Sequence, residues 1–203
     1  MTDPLLKYRE QHKHRLNYMP WLYWSLKPKH REWAEQWQAE YQAYLMEMET
    51  VEIGKNCFIS PLAHIFAERG RKISIGDNTF IAADCTLHGP LQIGSEVAIN
   101  HHCILDGGRA GIKLHDQVRI AAYSHLYAFD HGMDLERPIY QQAVTSKGIE
   151  IGQDVWLGAH VGIKDGVKIG HHAVVGMNSM VTKDIEKHAI VAGNPARLIR
   201  YRK

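Results

Sequence analysis

A six-residue period constrains this chain more than any other feature. Stepping by six from Ile53 gives Ile53, Ile59 and Ile65. A second run gives Ile75, Ile81, Leu87, Ile93, Ile99 and Leu105. A third gives Leu114, Ile120 and Leu126, and a fourth Ile151, Leu157, Ile163, Ile169, Val175 and Val181. A second column shares the period. Four residues after each anchor stands a small or β-branched residue: Ala63, Thr79, Val97, Val118, Ser124, Val155, Val161, Val167, Ala173 and Ser179. Glycine often follows the anchor, as at Gly54, Gly76, Gly94, Gly152, Gly158, Gly170 and Gly176.

These columns describe a triangular coil. Each hexapeptide supplies one short strand and one corner. The anchor points inward and fills the prism, and the second inward position is small because three faces converge there. Turn-formers such as Asp77 and Asn78 relieve the corner backbone. Successive coils stack about 4.8 Å apart as parallel sheets. One coil cannot bury its own apolar face, so several must stack. The fold class is therefore an all-β solenoid, a parallel β-helix of about six triangular coils.

The three cysteines, Cys57, Cys85 and Cys103, fall in the small inward column. They read as core residues and not as disulfide partners, metal ligands or a nucleophile, which needs exposure and a lowered pKa. The formal net charge of +2 is too small to imply a nucleic-acid or anionic-membrane partner. No apolar run reaches the roughly 18 residues that span a bilayer. The polar stretch from Met1 to Arg15 has no signal-peptide core, so a cytoplasmic location is the expectation.

The period breaks three times. A charged bulge, Glu68 to Arg71, separates Ile65 from Ile75. Asp106 to Gly111 separates Leu105 from Leu114. A longer excursion from Tyr127 to Gly148 carries Tyr127, Phe129, His131, Met133 and Tyr140. An interruption of that length in a compact domain is usually functional, and its aromatic content argues against disorder. The first fifty residues follow a helical pattern instead. One helix is expected from Pro4 to about Leu16, a break at Met19 and Pro20, and a second helix from about Lys29 to Met48. Trp33, Trp37, Tyr41 and Leu45 share a face of the second helix. The chain thus divides into a helical cap (1–50), the β-helix (51–196, with the protruding loop 127–148) and a basic tail (197–203).

The stretch IGQDVWLGAHVGIKDGVKIGHHAVVGMNSMVTKDIEKHAIVAGNPARLIR resembles the closing coils of the hexapeptide-repeat acyltransferases. That family includes galactoside and maltose O-acetyltransferases, xenobiotic acetyltransferases and polysaccharide O-acetyltransferases. DVWLG, VTKD and AGNPAR occur in the order typical of it, and the resemblance extends over residues 51–202. It implies a left-handed coil and a homotrimer with active sites between adjacent subunits. It also implies acetyl-CoA as donor, no metal, and transfer to a hydroxyl of a sugar or other small acceptor.

Carried over by position, the resemblance places the general base at His131, seventeen residues after Leu114. Neutral imidazole is suited to remove a hydroxyl proton as the new bond forms. His125 is its rival. The CoA contacts map to Ala159, Met177, Thr182, Lys183, Arg197 and Arg200. Where similar enzymes often carry Ser after the corresponding WIG motif, this chain has Ala159, which leaves only a backbone N–H for the oxyanion. Arg197, Arg200, Arg202 and Lys203 form a basic strip suited to CoA phosphates. Trp156 is expected to project outward near the cofactor groove or a subunit interface. Asn100 and Asp106 correspond to acceptor-binding positions.

Two other readings stand beside this one. A metalloenzyme resembling the γ-carbonic anhydrases needs two His five residues apart, and the residue five after His125 is Asp130. The adjacent pairs His101/His102 and His171/His172 should diverge if each lies on a strand. The other alternative is a non-catalytic scaffold that keeps the fold. The His131 loop and the basic tail argue against it.

Overall fold

The computed structural model describes residues 4–203; residues 1–3 of the expected cap lie outside the described residues. Short strands stack into three parallel sheets that form the faces of a prism. The first face runs Val51–Ile53, Ile73–Ile75, Leu91–Ile93, Ile112–Leu114, Ile149–Ile151 and Lys168–Ile169. The second begins at Phe58–Ile59 and passes through Phe80–Ile81, Ala98–Ile99, Arg119–Ile120, Trp156–Leu157 and Val174–Val175 to Ala189–Ala192. The third runs from His64–Phe66 through Thr86–His88, Ile104–Asp106, His125–Tyr127 and Gly162–Ile163 to Met180–Val181. Six stacked rungs on the first and third faces match the six coils read from the period.

The anchors stack directly, as Ile81 on Ile99 and Leu126 on Ile163. All are buried except Ile53, which is only partly covered on the first rung. The small column is buried too, and its polar members have a second task. Cys57, Thr79, Cys85, Cys103 and Ser124 donate to the carbonyls of Gly76, Gly94, Asn100, Ala121 and Gly158 on the next coil, at 2.9–3.2 Å. Each satisfies a corner carbonyl that no strand reaches. Burial raises the Cys57 thiol pKa. A hydrogen bond with Cys103, together with burial, pushes Cys85 far higher.

The corners hold more than Gly, Asn and Asp. His102, Tyr123, His160, His172, His188, Glu96 and Gln117 all adopt φ of 55–65°. The two His pairs therefore sit on turns and not on strands. They do not simply diverge: the rings of His101 and His102 meet edge to face at 5.2 Å.

Helix α1 (Pro4–Tyr18), a 3₁₀ turn (Pro20–Ser25) and helix α2 (Pro28–Met48) complete the described chain. They cover more than the first coil. Phe58, Phe80 and Ala98 point outward from the second face on three successive rungs, and Leu16, Tyr23, Ala34, Trp33 and Trp37 pack over them. Leu45 and Tyr41 turn instead to the open end of the prism. The buried Gln38 donates to the carbonyl of Ile59 and accepts from its N–H (3.1 and 2.8 Å), and Gln42 donates to Cys57. These side-chain amides take the place of a further strand at the sheet edge.

The basic residues at the C-terminus are not a free tail. Arg197–Tyr201 folds back antiparallel on Ala189–Ala192 and closes the other end of the second sheet. Arg202 then reaches Asp154 at 3.0 Å. Among the described residues no helix is long and apolar enough to cross a membrane.

Candidate active site

The excursion after Tyr127 contains its own strand pair: Asp130–His131 runs antiparallel to Val144–Thr145. Both feet are fastened to the coil. The Ser146 hydroxyl donates to the carbonyl of Ala128 and accepts from the N–H groups of Arg109 and Ala110 (2.5, 3.0 and 2.9 Å). The buried Asp165 carboxylate accepts from the N–H groups of Lys147 and Gly148 at 2.9 Å. Asp130 pairs with Lys164 at 3.2 Å. The loop is thus held as a rigid arm.

His131 lies on that arm, exposed, with Phe129 edge-on at 6.3 Å. Neither ring nitrogen has a hydrogen-bond partner among the described residues. His125 lies on the third face, with its side chain exposed on the outer surface of the coil.

Asp106 stands beside the foot of the arm, where its carbonyl accepts from Ala128 at 2.9 Å. Its carboxylate faces His88 at 3.3 Å and Arg71 at 3.8 Å. Glu68 completes this group, 3.1 Å from His88 and 3.5 Å from Arg71. Its own backbone N–H, and then His88, hold the Glu68 carboxyl below its usual range. Arg71, His88, Asp106, Arg109, Phe129 and Val144 surround a cleft of about 280 Å³. In the sequence Glu68 and Arg71 stand out only as a charged bulge, and nothing local marks His88 as their partner. The period contained the signal, because His88 lies one 18-residue coil before Asp106.

Asn100 does not join Asp106. It sits on the corner between the second and third faces and donates to the carbonyl of Ile120 at 2.8 Å. Asp106 is at the far end of the following strand. The six CoA-contact candidates also separate. Ala159 and Met177 stack on Asn100's corner, one coil apart, with Asn178 donating to the Ala159 carbonyl. The N–H of Ala159 has no partner among the described residues. Thr182, Lys183 and Arg197 gather around a cleft of about 380 Å³ at the C-terminal end of the prism. Arg200 lies on the closing strand outside that cleft. Trp156 projects outward from the second face and is 54% exposed. No group of three or more metal-ligating side chains is assembled among the described residues.

The stacked coils and the arm define a class, the parallel β-helix built on a six-residue repeat. A profile described as "Bacterial transferase hexapeptide (six repeats)" matches residues 148–183. A chloramphenicol acetyltransferase of Klebsiella aerogenes is 56% identical over 111 residues, 53% of this chain and 52% of that protein. The chain spans little more than half the length of the first curated relatives it matches. Among solved structures, a variant of AntD, an N-acyltransferase from Bacillus cereus in complex with dTDP and coenzyme A, is 33% identical with a TM-score of 0.72. That likeness covers 80% of this chain and 90% of the other. A hexapeptide-repeat-containing acetyltransferase of Vibrio cholerae complexed with acetyl coenzyme A is 26% identical with a TM-score of 0.59, covering 100% of this chain and 91% of the other. The chain belongs to the hexapeptide-repeat transferase family, and with that family goes the left-handed coil.

Proposed function

We propose that this protein transfers an acyl group, most simply acetyl, from coenzyme A to a hydroxyl of a sugar or other small acceptor. The observation that carries the reading is His131: an exposed imidazole whose two nitrogens have no partner among the described residues, on an arm pinned at both feet. In the reaction its neutral ring takes the acceptor proton as the oxygen attacks the thioester carbonyl. The tetrahedral oxyanion accepts from a backbone N–H, for which Ala159 is the candidate. Collapse breaks the C–S bond, and the CoA thiolate recovers the proton from the imidazolium.

Within one chain His131 and Ala159 belong to different corners of the prism. A site that uses both is built from two copies, which supports a homotrimer with its sites between subunits. Met177, Thr182, Lys183, Arg197 and Arg200 would then line the path of CoA, with the arginines on its phosphates. Asn100 and Asp106 would contact the acceptor from two subunits. The coenzyme A and acetyl coenzyme A complexes of the two structural relatives support the donor. The likeness to an N-acyltransferase favours an amine as the second acceptor reading, and a panel of amino sugars and their hydroxyl counterparts separates the two.

His131→Ala should lower acyl transfer by about 100-fold or more while CoA binding, followed by calorimetry, stays unchanged. Undiminished turnover would overturn the assignment.

A further inference from the structure

On the outer side of the first face lies a second concavity of about 370 Å³, whose Ala110 and Lys147 directly follow Arg109 and Ser146 of the Phe129 cleft. Its floor is a column of three glycines on successive coils. The N–H of Gly166 donates to the carbonyl of Gly148, and the N–H of Ile149 donates to that of Gly111. All three glycines have left-handed backbones, with φ of +92°, +89° and +83° for Gly111, Gly148 and Gly166. A Cβ on Gly148 would stand 3.0 Å from the Gly111 carbonyl oxygen, so the bare floor is a requirement of the backbone.

The walls of this concavity are cationic. Lys113 and Lys168 project from the first face one rung either side of Glu150. Lys147 enters from the returning foot of the arm, and its stem would meet a Gly166 Cβ at 3.2 Å. None of the three ammonium groups has an ion pair or hydrogen bond among the described residues. Among the described residues that line it, the one carboxylate is Glu150, which is engaged by His115 at 2.9 Å; that bond first, and then the charges of Lys113 and Lys168 on either side, hold its pKa down. Three ammonium groups against this one carboxylate, around a glycine floor, leave the concavity net cationic.

We propose that this concavity binds a diphosphate. Lys113 and Lys168 stand two rungs apart, about 10 Å along the column. Two linked phosphoryl groups span that distance better than one. Each offers several acceptor oxygens to point-like ammonium donors. A diphosphate there would bridge the coil to Lys147 and so fasten the returning foot of the His131 arm. The site does not depend on the acyl-transfer reading.

The test is calorimetric titration of the full chain at low ionic strength with inorganic pyrophosphate and, separately, with dTDP. Wild type should bind pyrophosphate, and Lys113→Gln combined with Lys168→Gln should weaken that binding by about tenfold or more. Lys147→Gln alone should weaken it in the same direction, and this keeps the test open if the double variant fails to fold. Arg197→Gln combined with Arg200→Gln should leave the lysine-dependent binding in place. Equal affinities for the two probes would assign a free diphosphate, and tighter dTDP binding a nucleotide-borne one. Absence of pyrophosphate binding by wild type, or binding that none of the lysine substitutions weakens, would overturn the site.

Discussion

Gln38 does the work of a strand with one side chain. Its amide donates to and accepts from Ile59 at the first rung, where the second sheet would otherwise present an open edge. Replacing Gln38 with Ala leaves a buried N–H and carbonyl unpaired, and a loss of about 2–4 kcal/mol in urea unfolding is the expected result. The helix around it was legible from the spacing of Trp33, Trp37, Tyr41 and Leu45. The role of Gln38 was not, because it depends on where that helix lands. Asp154 tells a similar story at the opposite end. The hydrogen bond from His172, with that from Arg202 second, holds its carboxyl below the usual value. A carboxylate with a depressed folded pKa contributes stability above its unfolded pKa, here 3.8, and loses it as pH falls through the lower folded value. Asp154→Asn should therefore lower the melting temperature by about 1–3 °C at neutral pH. The gap between variant and wild type should close below about pH 4.

Among the elements, the arm depends most on contacts outside itself. Its strand pair is only two residues long on each side, far below what is stable alone. Ser146 and Asp165 hold its feet, so the position of His131 is set by residues that never approach it. Asp165→Ala frees two backbone N–H groups and should lower turnover about tenfold through misplacement. Amide exchange across 128–148 should rise while the melting of the coil changes little. Unchanged exchange would show that the arm holds its shape without this carboxylate. The excursion itself was evident in sequence as a gap in the period, but its internal strands and its two fastenings were not. Asn100 and Asp106 show the reverse. Six residues is one face of the prism, so the period already placed them on successive corners, and the spacing alone could have separated them.

For the molecule as a whole, the helices and the coil form one packed body. Phe58 and Phe80 face outward on the second sheet because α1, the 3₁₀ turn and α2 cover them. Removing residues 1–48 would expose both rings and the first strand edge together. The truncated chain should aggregate in light-scattering measurements under conditions where the full chain does not. The prism, its six coils, the inward cysteines and the place where the repeat opens follow from the order of residues alone, because an inward aliphatic every six residues is satisfied by a three-sided coil. Which corners meet, how the helices lie along the second face, and that three lysines distant in sequence share one glycine floor emerge only in three dimensions. Those relations depend on insertions of unequal length between coils. Such insertions shift the register in space while leaving the local period intact.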